Sequence, residues 1–145
     1  SCVDFARILE FIGNHPLLIL AFTGTLGALL ASEISQRLSG MKAVDPVRAT
    51  QLSNRENAVF LDIRDDGEYS GGHIPEAIHI PIKQLPGRIA ELNKHKDCPV
   101  IAYCRSGSRS NGAGRILNKH GFENVYNLHG GIAAWQKASL PLSKK

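Results

Sequence analysis

Two short runs, Ala58–Ile63 (AVFLDI) and Pro99–Tyr103 (PVIAY), are apolar at almost every position rather than at alternate ones. A strand of that kind has no face to turn toward water. It belongs inside a sheet covered on both sides, which is the setting of parallel strands joined by helical crossovers. The neighbouring segments fit that frame. Asp45 and Pro46 supply an N-cap and a first-turn residue for a helix running to about Asn54. After AVFLDI come a polar, turn-rich segment (DDGEYSGGH), a short strand Ala77–Ile80 closed by Pro81, and a helix from about Gln84 to Asn93 that accommodates Pro86 near its start. After PVIAY come a helix from about Ser108 to His120, the strand NVYNL and a last helix, GIAAWQKA. Strands alternating with helices predict an α/β domain of three layers, a central parallel sheet with helices on both faces. The 145 residues hold one such domain and an additional segment.

That segment lies at the front. From Phe11 to Ser32, 22 residues pass without an Asp, Glu, Lys or Arg. As a helix they would span about 33 Å at 1.5 Å per residue, close to a hydrocarbon core of roughly 30 Å. We expect residues 1–40 to form a hydrophobic helix (about 11–32) and a tether, with the domain at 41–145. The expected role of the helix is a membrane anchor, and the polar stretch Glu33–Lys42, with Ser39 and Gly40, is read as its end and the tether. The alternatives are a buried core helix and a cleaved signal peptide. The second is disfavoured, because Asp4, Arg7 and Glu10 precede the run and no A-x-A site follows it. Only Arg7 stands before the run, whereas Arg37, Lys42 and Arg48 follow it, so the positive-inside tendency places the domain in the cytoplasm. Gly24 and Ala28, four residues apart, would let two such helices approach closely.

Composition narrows the chemistry. Cys2, Cys98 and Cys104 are too few for a disulfide framework, and no C-x-x-C pair or Cys/His cluster suggests a metal site or another bound cofactor. A reducing compartment is the simpler expectation. Residues 41–145 carry 15 Lys/Arg against 10 Asp/Glu, but spread along the chain without a basic run or interleaved aromatics. That excess suits a small anion, and nothing in it points to nucleic acid.

The segment that most suggests chemistry is the step from PVIAY into CRSGSRS and then a helix. In an open parallel sheet, ligands bind beyond the carboxyl ends of the strands, where the next helix begins. Cys104 sits there. Gly107 lets the backbone curl, so that N–H groups across Arg105, Ser106, Gly107, Ser108, Arg109 and Ser110 can form an anion-binding bowl. The helix N-terminus, Arg105 and Arg109 add positive charge, and all of these favour thiolate over thiol. We therefore expect Cys104 as nucleophile and the six residues after it as the substrate-binding loop. A lone cysteine ending a strand is otherwise a small buried hydrophobe.

Here the sequence resembles the rhodanese family. LDIRDDGEYSGGHIPEAIHIP (Leu61–Pro81) is similar to its upstream signature, an L-D-[VI]-R opening followed by E-[YF] and G-H-I-x-x-A-x-[NH]-I-P. GFENVYNLHGGIAAW is similar to its closing G-[FY]-x-x-V-x-x-L-x-G-G-x-x-x-W. With the cysteine loop between them, the resemblance covers roughly residues 44–142. It implies a rhodanese-like three-layer domain in which Cys104 carries a persulfide. A small anionic sulfur donor such as thiosulfate would load it, and a thiol or protein acceptor, or cyanide in an assay, would unload it.

Loop length separates this reading from a related one. Cysteine phosphatases that share the fold use C-x5-R, whereas four residues separate Cys104 from Arg109 and Ser110 takes the later place. Phosphatase or arsenate-reductase activity is therefore disfavoured, and a non-catalytic binding or redox-sensing module remains the other alternative. Asp62, Arg64 and His73 are expected to support the site: Asp62 with Arg64 as an ion pair at a strand end, and His73 with Glu68 as a cap on the following turn. Gly130, Gly131 and Trp135 read as turn and packing residues. Cys98 and Cys2 are candidates for a redox partner.

Overall fold

The structure, a computed structural model, describes residues 4–38 and 41–145. The domain's five strands are β1 (Lys42–Val44), β2 (Val59–Asp62), β3 (Ile78–His79), β4 (Val100–Tyr103) and β5 (Val125–Leu128), in the order β1-β5-β4-β2-β3 and parallel throughout. The two apolar runs lie side by side as β2 and β4, with Val59 opposite Val100 and Asp62 opposite Tyr103.

Because strand side chains alternate between faces, each run feeds two cores. Phe60, Ile101, Tyr103 and Leu128 join Ala49 and Leu52 of α3 (Pro46–Glu56) and Ile132 and Trp135 of α7 (Gly131–Lys137). Leu61, Val100, Ala102, Cys104 and Val125 face Ala113 and Leu117 of α6 (Ser110–Lys119) on the other side. This is the expected sandwich. Asp45 caps α3, accepting the Arg48 N–H at 2.7 Å.

Three local features differ from expectation. Strand β1 has only three residues and one buried side chain, too little periodicity to read from sequence. The turn-rich segment after β2 closes into a short helix, α4 (Asp66–Ser70), where Glu68 Oε2 accepts the Asp65 N–H at 3.2 Å. The helix expected over 84–93 is instead one α-turn, α5 (Leu85–Arg88), followed by a 3₁₀ stretch Ile89–His95. Pro86 lies in the first turn, where its missing N–H is tolerated, whereas Gly87 has no side chain to hold helical geometry and weakens its continuation.

The chain divides into two compact units, residues 1–35 and 36–145. The first holds α1 (Phe5–Asn14) and most of α2 (Pro16–Leu38), two helices where one was expected. His15, at φ −129° and ψ 58°, is held out of the helical region by the proline that follows it. Pro16–Ile34 is long and apolar enough to cross a membrane by length and composition. Glu33 lies inside α2 and Lys42 opens β1; of the expected tether, Ser39 and Gly40 lie outside the described residues.

Candidate active site

Strand β4 delivers Cys104 to the carboxyl edge of the sheet, on the same face as Val100 and Ala102. The chain then curls over its own sulfur: Gly107 N–H donates to Cys104 Sγ at 3.0 Å, and Ser110 Oγ lies 3.8 Å from it. Gly107 has φ +97°, a conformation that L side chains rarely adopt. Burial pushes the Cys104 thiol up, but N–H groups from Ser110, Ser106 and Gly107 outweigh it and bring the thiol below its ordinary value. Cys104 is wholly buried, while Arg105, Ser106 and Ser108 are exposed around it.

Two further elements hold this loop. At the start of α7, Ile132 N–H donates to Cys104 O at 2.9 Å and Ala133 N–H to Arg105 O at 3.3 Å. Behind the loop, Asn127 of β5 donates from Nδ2 to Gly107 O at 3.0 Å, and its Oδ1 accepts from Ser110 Oγ. Sequence reasoning missed Asn127. The available signal was parity, since Asn127 is two residues from the buried Val125 and so is a polar group aimed inward at a strand's carboxyl end.

The arginines are arranged differently from expectation. Arg109 is engaged by Glu68 across the site in a forked ion pair, Nη2 to Oε1 at 3.0 Å and Nη1 to Oε2 at 3.2 Å. Arg109 in turn holds the Glu68 carboxyl below the usual range. The expected pairing of Glu68 with His73 is therefore replaced, because a guanidinium offers Glu68 two donors at once. His73 is buried, stacks on Tyr69 with ring centroids 3.8 Å apart, and has Nδ1 3.2 Å from Tyr69 O. The donors that meet the sulfur are backbone N–H groups rather than guanidinium groups.

Asp62 and Arg64 do pair, at 2.6 Å and fully inside the domain. Arg64 also donates to Gly72 O at 2.8 Å, and Tyr103 OH donates to Asp62 at 2.8 Å while accepting the Ile74 N–H. Every fully buried side-chain nitrogen and oxygen of this cluster has a partner, as a buried charge requires. It ties β2, β4 and the segment after α4 together beneath the site.

A cavity of about 360 Å³ opens between α4 and α7, lined by Arg64, Glu68, Gly72, Arg105, Ile132 and Gln136. Cys104 does not line it, so the cavity adjoins the loop through Arg105. Cys98 and Cys104 are both free thiols, and Cys2 lies outside the described residues.

Residues 45–138 match the rhodanese-like domain. The chain belongs to the rhodanese-like family. It is 36% identical over 137 residues to the protein YibN of Escherichia coli strain K12, covering 94% of this chain and 96% of that one. A match of that extent must include part of the N-terminal helical unit as well as the rhodanese-like domain. A protein of Allochromatium vinosum named as a sulfurtransferase is 40% identical over 92 residues, 63% of this chain and 84% of its own length. Among solved structures, a rhodanese-related protein from Thermoplasma volcanium superposes with a TM-score of 0.64 at 25% identity, covering 72% of this chain and 99% of that one. These relationships support a sulfurtransferase-type function for the rhodanese-like domain.

Proposed function

We propose that this chain is a membrane-tethered sulfurtransferase that carries sulfane sulfur on Cys104. The observation that supports it most directly is the convergence of Gly107, Ser106 and Ser110 N–H groups on a single sulfur. Such fixed donors favour an anion on that atom without reorganisation during reaction. The Cys104 thiolate attacks the outer sulfur of a donor such as thiosulfate. A new S–S bond forms, the old one breaks, and its electron pair leaves with sulfite. Cys104 now bears a persulfide anion. An acceptor thiolate, or cyanide in an assay, then takes the terminal sulfur, and the electron pair returns to Sγ. Arg105, Ser106, Gly107, Ser108, Arg109 and Ser110 form the substrate-binding loop in this reading, and the Asp62–Arg64 pair and His73 support the framework around it. The tight four-residue gap before Arg109 disfavours the phosphatase alternative, in which a tetrahedral phosphate must fill the loop.

The test is incubation of the purified full chain with thiosulfate. The expected product is a protein heavier by one sulfur atom, which cyanide reverses to give thiocyanate. If neither adduct nor transfer appears with any sulfane donor, the domain is instead a binding or redox-sensing module.

The same proposal makes Pro16–Ile34 a membrane anchor and residues 41–145 the catalytic domain, facing the cytoplasm. The length and apolar composition of that helix support it. Charged residues at the centre of a spanning helix cost about 3 kcal/mol each on insertion scales. Leu20→Lys with Leu26→Lys in the full chain is therefore expected to move the protein from the carbonate-washed membrane fraction to the soluble one. Unchanged partitioning of that variant, or a soluble wild type, sinks the anchor.

A further inference from the structure

The sulfur-facing N–H of Gly107 belongs to a peptide whose position needs a cause. A residue at φ +97° in an otherwise exposed loop does not hold its own carbonyl in place. Two side-chain groups reach that carbonyl, Asn127 Nδ2 at 3.0 Å and Ser110 Oγ at 2.9 Å. The hydroxyl has one proton and a competing acceptor, because Asn127 Oδ1 lies against it as well.

The orientation of the Asn127 amide follows from its neighbours. Nδ2 faces two carbonyl oxygens, Gly107 O and, at 3.4 Å, Asn111 Oδ1. The reverse orientation would set oxygen against both. With Oδ1 thereby turned toward Ser110, the serine proton goes to Asn127, and the Gly107 carbonyl depends on Asn127 Nδ2 for its side-chain donor.

We propose that Asn127 is a positioning residue: from β5 it holds the Gly107 peptide so that its N–H meets Cys104 Sγ. It touches neither sulfur nor substrate. The same residue also decides where the Ser110 proton rests. While Cys104 is a thiol, that proton lies on the Asn127 side. When the sulfur ionises, the hydroxyl, 3.8 Å away, can turn to it. This rests on the reading of Cys104 as the reactive thiol, and its test is independent of sulfur transfer.

The experiment is the pH dependence of iodoacetamide alkylation of Cys104 in the full chain, followed by mass spectrometry at that residue. Asn127→Leu keeps the branched outline with some added bulk and removes the polar contacts to Gly107, Ser110 and Asn111, and Asn127→Ala removes them without bulk. The charged and titratable groups around the loop, Arg105 and Arg109 on it, Glu68 from α4 and His129 after β5, stay unchanged in both. We expect the ionisation midpoint to rise by about one pH unit, so that alkylation below both midpoints slows about tenfold while the high-pH plateau stays constant. A purely structural role predicts a lower melting temperature with an unmoved midpoint. That result, or midpoints matching wild type in whichever variant folds, overturns the proposal. If the wild type moves no sulfur yet the variants shift the midpoint, the sulfurtransferase reading fails and the role of Asn127 stands.

Discussion

Cys104→Ser abolishes sulfane-sulfur transfer and the one-sulfur mass adduct while leaving the fold intact. Serine is nearly isosteric, and its hydroxyl can accept the Gly107 N–H that Sγ accepts at 3.0 Å, so the loop retains its framework. A loss of stability within about 1 kcal/mol is expected. The chemistry does not survive, because an alcohol is far from ionised at neutral pH and oxygen does not form the S–S bond on which the cycle turns. A rate at least about a thousandfold below wild type is expected, measured as thiocyanate formation from thiosulfate and cyanide. Residual transfer near the wild-type rate would place the carrier elsewhere, with the half-buried free thiol Cys98 the first candidate. The pH profile offers a second check. With the thiol lowered by N–H donors, wild-type activity should rise with pH and level off before an unperturbed cysteine would ionise.

Much of this arrangement was legible in the sequence because it depends on local pattern. Uninterrupted apolar runs marked β2 and β4, Asp45 and Pro46 marked the start of α3, and the abrupt change from PVIAY to CRSGSRS located Cys104. What escaped depends on residues far apart in the chain. Glu68 and Arg109 are 41 positions apart, and nothing local in either directs it to the other. Their pairing redirects a charge that sequence proximity had assigned to the sulfur. Asn127 lies 17 positions from Ser110 and looks like an ordinary strand residue until the sheet order sets β5 beside β4. The break of the N-terminal segment at His15 was visible in Pro16, but the uncharged run outweighed it. Charge patterning reports solubility over long windows, whereas a helix break is set by one residue.

Gly131→Ala is the substitution expected to damage the fold most, for a reason invisible to the reading of Gly130–Gly131 as a simple turn. Gly131 has φ +59°, and a Cβ there would lie 2.6 Å from the Arg105 carbonyl carbon and oxygen. These obstacles are backbone atoms, so no rotamer change relieves the clash. The αL conformation adds about 1–2 kcal/mol for an L side chain. Relief requires α7 to withdraw from the loop, which breaks the bonds from Ile132 and Ala133 to the Cys104 and Arg105 carbonyls. Together these should cost on the order of 3–4 kcal/mol, a fall in melting temperature of roughly 15–25 °C for a domain near 100 residues. Trp135, the only tryptophan in the chain, reports the displacement directly, since it packs edge-on against Phe60 at 5.3 Å and donates to Pro141 O at 2.8 Å. Its fluorescence should shift to the red in Gly131→Ala below the melting transition. Gly107→Ala is the informative contrast: its new Cβ would meet only ordinary contacts, the nearest being Gly130 N at 3.4 Å. It carries the strain of a positive φ without the backbone clash, so it should melt closer to wild type than Gly131→Ala and raise the ionisation midpoint of Cys104. A Gly131→Ala protein with wild-type melting and unchanged Trp135 emission would show that α7 does not clamp the loop.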